Sequence, residues 1–256
     1  MQCVILCGGL GTRLREETEY HPKPLVKIGN IPILWHIMKI YSHYGIKEFI
    51  LSLGYKGEMI KEFFINYKYF HNDFSLSLKT HKARIMDDGE RIENWNIIFA
   101  DTGIETSTGG RITRIKKYIK NDEPLFLATY GDGVANVNIR KLIEFHRKNN
   151  KIATLTAVHP VSKYGVIEIN GSLARSFAQK PSLEGYINGG FFVFKKEIFG
   201  YLDDDMMLED AFPALARKNQ LAVYKHNDFW HCMDTYKDYQ VLNKMWETGK
   251  AGWKIW

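Results

Sequence analysis

Gln2-Cys-Val-Ile-Leu-Cys-Gly-Gly-Leu-Gly-Thr-Arg-Leu14 decides how the rest of the chain is read. Residues 2–7 are almost continuously apolar and stop abruptly at Gly8-Gly9, which predicts a short strand buried on both faces. Glycines at 8, 9 and 11 let the backbone come close to a ligand and turn its N–H groups toward phosphate oxygens, while Arg13 offers a forked cation to the same anion. Taken alone, such a loop is equally a phosphate cradle or an ordinary tight turn. Two familiar phosphate motifs are excluded: a dinucleotide fingerprint needs glycine where Leu14 stands, and a Walker loop needs Gly-Lys-Ser/Thr.

Strands and helices alternate downstream. Pro32 to Tyr44 carries apolar residues at helical spacing with Gly45 as the stop, Glu48 to Leu53 reads as a second buried strand, and Lys56 to Tyr69 as a second helix. Pro124 to Tyr130 is a later strand ending on Gly131-Asp132-Gly133. This rhythm predicts an α/β fold of βαβ units around a mixed, mostly parallel central sheet. Residues 74–100 break it: Phe74 to Leu78 and Asn96 to Ala100 read as strands around Asp87-Asp88-Gly89, a small β insertion. Beyond Ile152 come strands at 152–158, 164–169, 173–177 and 186–194, helices near 195–202 and 207–218, and a closing helix from Tyr236 to Glu247 capped by Thr235.

The chain has 256 residues, 45% of them hydrophobic and 25% charged, with a formal net charge of +6. That composition excludes a disordered or fibrous chain. The basic residues are dispersed, as on a solvated surface, so no nucleic acid is expected and small anionic substrates are the better match. No apolar run approaches the roughly 20 residues of a membrane span, so neither a membrane nor a signal peptide is expected. Cys3, Cys7 and Cys232 match no disulfide framework or zinc spacing, which suits a reducing cytoplasm, and Cys3 and Cys7 read as small buried hydrophobes. His36 and His43 share a helix face as core or interface residues. Trp246, Trp253 and Trp256 form an aromatic tail suited to a subunit contact in a homo-oligomer, with packing back on the chain's own core as the alternative.

The segment His21-Pro22-Lys23-Pro24-Leu25 tips the glycine loop toward chemistry, because flanking prolines stiffen the backbone around a single lysine and make it a positioned charge. Gly8-Gly-Leu-Gly-Thr-Arg-Leu14 together with Pro22-Lys-Pro-Leu25 resembles the signature of the sugar-phosphate nucleotidylyltransferases. Further segments, among them Gly54-Tyr-Lys-Gly57, Thr108-Gly-Gly-Arg111, Tyr130-Gly-Asp-Gly-Val134, Ile187-Asn-Gly-Gly-Phe191 and Met233-Asp-Thr235, extend the resemblance over essentially the whole chain. Within the family they are most similar to the cytidylyltransferases acting on glucose 1-phosphate. The resemblance implies a GT-A-like, Rossmann-like fold in one domain over 1–256: a nucleotide-binding half at about 1–135, an acceptor-binding half at about 136–235, and a C-terminal helix and tail at 236–256.

It also implies roles. Arg13, Lys23 and Asp132 would be catalytic, with Arg13 steadying the departing pyrophosphate and Lys23 contacting the phosphates between donor and acceptor. Leu6, Gly8, Gly9, Leu10, Gly11, Thr12, Arg13, Lys23, Thr106, Arg111 and Gly131 would hold the nucleotide, CTP. Asp132 and Asp234 would hold Mg²⁺, or Mn²⁺, a hard cation suited to carboxylates and phosphate oxygens. The product would be CDP-linked and serve capsule or O-antigen synthesis.

Gln179, Lys180, Asn188, Gly189 and Gly190 fall on the acceptor side, and here the sequence departs from the pattern. Family members that select glucose 1-phosphate carry Glu-Lys-Pro where this chain has Gln179-Lys180-Pro181, and Leu208-Glu-Asp-Ala-Phe212 replaces a Trp-Glu-x-Glu-Pro pattern. An amide cannot offer the charge-assisted bonds that a carboxylate gives to sugar hydroxyls. The expectation therefore leans to a non-sugar phosphate such as phosphorylated glutamine, as in a capsular-phosphoramidate relative, with glucose 1-phosphate as the alternative. A glycosyltransferase of the same fold, or a silent nucleotide-binding regulator, is the reading from another class.

Overall fold

The computed structural model describes residues 1–86, 93–160, 165–179 and 185–256, the side chains of Arg15, Glu16 and Gln179 excepted. Its centre is an eight-stranded mixed sheet: β1 (Gln2–Leu6), β2 (Glu48–Leu53), β3 (Asn96–Asp101), β4 (Leu125–Tyr130), β5 (Ala153–Val158), β6 (Ile187–Asn188), β7 (Phe192–Lys195) and β8 (Leu221–His226). β1 lies between β4 and β2, with β3 outside β2, and all four run parallel. β7 pairs antiparallel with both β4 and β5, and β8 pairs parallel with β5. β8 occupies one edge of β5 along its length, so β6 and β7 share the other, parted by the bulge at Gly189-Gly190.

Strand periodicity of two explains how this sheet is buried. Cys3, Ile5 and Cys7 face one core with Phe49, Leu51, Leu125, Leu127 and Val193, while Val4 and Leu6 face the other with Ile50, Phe126, Ala128, Phe192 and Phe194. Helices cover both sides, which is why the strands read as unbroken apolar runs rather than alternating ones. The first core takes α1 (Ile33–His43), Ile60 of α2 (Gly57–Phe70), Leu142 of α4 (Ile139–Asn149) and Leu242 of α6 (Tyr236–Glu247). The second takes Ile112 of α3 (Thr108–Arg114) and Leu215 of α5 (Phe212–Arg217). Gly45 ends α1 at φ +85°, and the closing helix begins at Thr235, whose hydroxyl accepts from Asp238 N.

The sequence reading is corrected in several places. Asn96–Asp101 is no part of the insertion; it extends the main sheet beside β2, and the insertion is the exposed hairpin Phe74–Ser77 with Lys82–Ile85. Asp87, Asp88 and Gly89 lie outside the described residues. The strand expected at 186–194 is broken in two, because Gly190 and Phe191 both take positive φ. α4 and β8 went unassigned from sequence: α4 carries few strongly apolar residues, and β8 alternates instead of running apolar. Among the described residues no helix is long and apolar enough to cross a membrane.

The aromatic tail packs on its own chain. Trp253 is fully buried, and its indole Nε1 donates to Nδ1 of His36 at 3.2 Å, so the subunit-contact reading gives way to an intramolecular one. Because the indole can only donate, His36 must accept at Nδ1 and carry its proton on Nε2, which reaches Ile28 O at 3.1 Å. His43, on the same face seven residues on, is exposed. Burial pushes His36 down to about 4, and burial also pushes His146, which bonds Thr154, down to about 4.

These two rings are neutral when folded and titrate near 6.5 when unfolded. Stability should therefore be constant above pH ~6.5 and fall as the pH drops toward 4, by about 3 kcal/mol for each ring. Urea midpoints measured between pH 7 and 4.5 should show this slope, and His36→Gln should remove about half of it; an unchanged slope would exclude His36 as a titrating group.

Candidate active site

Because β1 to β4 run parallel, the loops leaving their carboxyl ends rise from one edge of the sheet, where open α/β sheets hold ligands. A cavity of about 440 Å³ opens there. It is lined by Leu6, Gly8, Gly9, Leu10, Gly11, Thr12 and Arg13 from the first loop, by Lys23, by Thr106 and Arg111, and by Gly131, Asp132 and Asp234. Every nucleotide, catalytic and metal residue expected from sequence is thus at one place.

Arg111 lines the cavity, and its guanidinium is bound to the backbone around it. Its side chain is buried, with Nη1 donating to Leu53 O (3.0 Å), Thr102 Oγ1 (2.7 Å) and Gly103 O (2.8 Å), and Nη2 to Gly8 O (3.0 Å) and Ile104 O (3.1 Å). The terminal nitrogens therefore hold together the chain ends that leave β1, β2 and β3. Burial lowers the guanidinium from its usual range, but such a group stays charged at any ordinary pH. Thr106 is likewise committed: its hydroxyl donates to Thr102 O at 2.5 Å and accepts from Arg114 Nη1 at 2.8 Å. Both shape the pocket wall through these bonds.

The opposite end is electrostatic. Lys23 sits in a 3-10 turn after Pro22, and its ammonium donates to Asp132 Oδ2 at 2.6 Å and Asp234 Oδ1 at 3.0 Å; Arg13 pairs with Asp234 from the open side. Burial works against the Lys23 charge, but Asp132 and Asp234 outweigh it and hold the amine above its usual value. Asp234 reaches Asp132 because Trp230–Cys232 pairs antiparallel with Gly133–Ala135, with Met233 N bonded to Asp132 O at 2.8 Å. Cys232, which the sequence reading left without a role, brings its sulfur within 4.8 Å of carboxylate oxygens of Asp132 and Asp234. Burial, and then Asp132, push its thiol well up, so it stays protonated and leaves two carboxylates, a donor set that fits a hard cation.

The model of the nucleotidyl transferase family matches residues 2–248. The chain belongs to that family. It is 46% identical, over the full length of both chains, to the glucose-1-phosphate cytidylyltransferase of Salmonella typhimurium, and 47% identical over the same span to a counterpart in Bacillus subtilis. Among solved structures, the UDP-glucose pyrophosphorylase of Acinetobacter baumanii superposes with a TM-score of 0.70 at 17% identity, covering 98% of this chain and 95% of that one. The fold is thus that of nucleotidyltransferases, and this nucleotidyltransferase is an enzyme.

Asn188, Gly189 and Gly190 sit apart from the cavity. Asn188 Nδ2 donates to the Tyr130 hydroxyl at 3.0 Å, and its Oδ1 accepts from Gly190 N at 3.0 Å, while Gly189 O accepts from Trp230 Nε1 at 2.8 Å. Tyr130 lines the cavity and donates in turn to Glu209, so the Asn188-Gly189-Gly190 bulge lies one hydrogen bond behind it. Burial, and then Glu209, push the Tyr130 phenol up and keep it a donor. The backbone of Gln179 ends the hairpin Gly165–Asn170 with Leu173–Gln179; its side chain and Lys180 lie outside the described residues. Tyr130 and Glu209 were missed as site residues: the sequence showed each inside a quoted motif, but their pairing across 79 positions is tertiary.

The two neighbouring glycines of the first loop make a contrast that can be tested. A methyl group at Gly8 would lie 2.0 Å from Arg111 Nη1, whereas one at Gly9, which lines the cavity, meets nothing within 4 Å. Gly8→Ala should expel the guanidinium from its carbonyls and destabilise the protein by roughly 3 kcal/mol. Gly9→Ala should leave the melting temperature within a degree or two while weakening nucleotide binding. Thermal melts and nucleotide titrations on both variants check this.

Proposed function

We propose that the protein transfers CMP from CTP to glucose 1-phosphate, giving CDP-glucose and pyrophosphate. Lys23 bonded to both Asp132 and Asp234 beneath a glycine loop carries the phosphate-transfer part of this reading. Full-length identity of 46–47% to glucose-1-phosphate cytidylyltransferases supports the choice of nucleotide and acceptor. It also replaces the phosphorylated-glutamine acceptor that Gln179 suggested: an amide at one position weighs less than agreement along the whole chain.

The chain's residues act by positioning and charge. An oxygen of the acceptor phosphate attacks the α-phosphorus of CTP, the bond to the β-phosphate breaks, and pyrophosphate leaves with the electron pair; no covalent enzyme intermediate is needed. Gly8 to Thr12 cradle the nucleotide phosphates, Lys23 turns from the carboxylates to phosphate oxygens, and the exposed Arg13 swings to the departing pyrophosphate. Asp132 and Asp234 would hold a divalent cation, which when bound supplies charge neutralisation to the triphosphate. Tyr130 and Glu209 keep the Asn188 bulge in register with the nucleotide.

Pyrophosphate release, measured with CTP against a panel of phosphorylated sugars and amides, should be fastest with glucose 1-phosphate and stop in excess chelator. Turnover confined to a phosphorylated amide would restore the other acceptor, and full turnover in chelator would exclude the cation. Arg13→Ala should lower kcat by at least about tenfold with little change in CTP binding, since charge on the leaving group grows toward the transition state. A raised KM at unchanged kcat would remove Arg13 from this role.

A further inference from the structure

Phosphate chemistry occupies one end of the cavity, where Arg13, Lys23, Asp132 and Asp234 meet. The other wall is the segment 104–108, which follows β3. β3 is three strands from β4, and at about 4.8 Å per strand that separation is roughly 14 Å, which a nucleotide spans from phosphates to base. A base would therefore lie against residues 104–108.

Most polar groups on that wall are already spent. Thr106 is bonded to Thr102 and Arg114; the Thr108 hydroxyl donates to Glu209 at 3.3 Å and accepts from Leu208 N at 2.8 Å; the terminal nitrogens of Arg111 face carbonyls. Ser107 makes no capping bond, but a hydroxyl both donates and accepts and so cannot discriminate. Glu105 is different. It is exposed, lines the cavity, has no ion-pair or hydrogen-bond partner among the described residues, and is the one carboxylate of the lining besides Asp132 and Asp234. The residues around it are held: Ile104 through its O by Arg111, Thr106 through its hydroxyl by Arg114, and Gly103, at φ +88°, through its N–H to Asp101 Oδ1 at 3.1 Å.

We infer that Glu105 selects the base: its carboxylate accepts from the exocyclic amino group of cytosine and rejects the O4 carbonyl that uracil and thymine present at the same position. A carboxylate offers acceptors alone, and pairing with the cytosine amino group is its natural use in base recognition. Facing a carbonyl, it meets a second acceptor, and the mismatch leaves both groups unpaired. The inference rests on the cytidylyl reading above and adds the residue that enforces it.

The test is the ratio of kcat/KM for CTP to that for UTP, with glucose 1-phosphate as acceptor, in wild type, Glu105→Gln and Glu105→Ala, together with direct binding of both nucleotides. Glutamine can turn its NH₂ to a carbonyl, so Glu105→Gln should cut the CTP preference at least about tenfold, mainly through KM, and raise affinity for UTP. Glu105→Ala should weaken CTP more than UTP. A ratio unchanged within twofold in Glu105→Gln, or equal weakening of both nucleotides, would overturn the assignment, and the binding measurement decides the same question if a variant loses turnover. Wild-type protein that releases no pyrophosphate from CTP with any acceptor would overturn the cytidylyl reading itself, and this inference with it.

Discussion

The buried guanidinium of Arg111 is the interaction on which the nucleotide side of the site depends. Parallel strands deliver their chain ends to one edge, and carbonyls of the segments that leave them turn toward one point. Arg111 satisfies those of Gly8, Leu53, Gly103 and Ile104 at once. A buried cation survives only where enough acceptors surround it, and here the acceptors are the backbone that must be positioned. The tight packing shows in the glycines around it: a methyl group at Gly8 or Gly54 would collide with the guanidinium. Only glycine lets the two loops close around the charge.

The second constraint is the pair of carboxylates bridged by Lys23. Asp132 and Asp234 come from distant parts of the chain, and two like charges in a partly buried place demand a cation between them. Lys23 provides it, with Arg13 outside. The proline-stiffened turn and the antiparallel pairing of Gly133–Ala135 with Trp230–Cys232 bring these groups together through the fold itself, the kind of preorganisation that phosphoryl-type transfer uses.

A fold shared with a UDP-glucose pyrophosphorylase and a sequence shared with cytidylyltransferases separate two levels of information. The sheet and its glycine loop serve any nucleotide, because phosphates are common to all of them. In the proposed reading, choice of base would fall to the loop after β3 and the acceptor side to the bulge at Asn188.

The sequence by itself determined the α/β class, the first strand, the glycine loop and the residues that meet at the cavity. Those features are local: apolar runs of strand length, glycines where the backbone turns, and a lysine between prolines each act within a few residues. The closing helix, with its Thr235 cap, was legible for the same reason. Tertiary structure decided the rest. Asn96–Asp101 resembles an inserted strand until its pairing with β2 makes it the outer strand of the main sheet. Arg111 and Thr106 read from the sequence as parts of a nucleotide pocket, and only the fold shows that their side chains are also bonded to backbone carbonyls and another arginine. Trp253 reads from the sequence as part of a tail for a subunit contact or for the chain's own core, and in space it is a core residue, its N–H met by His36, 217 positions away. In each case the deciding contact joins residues far apart in the chain, and no local pattern encodes which of several partners a side chain will meet.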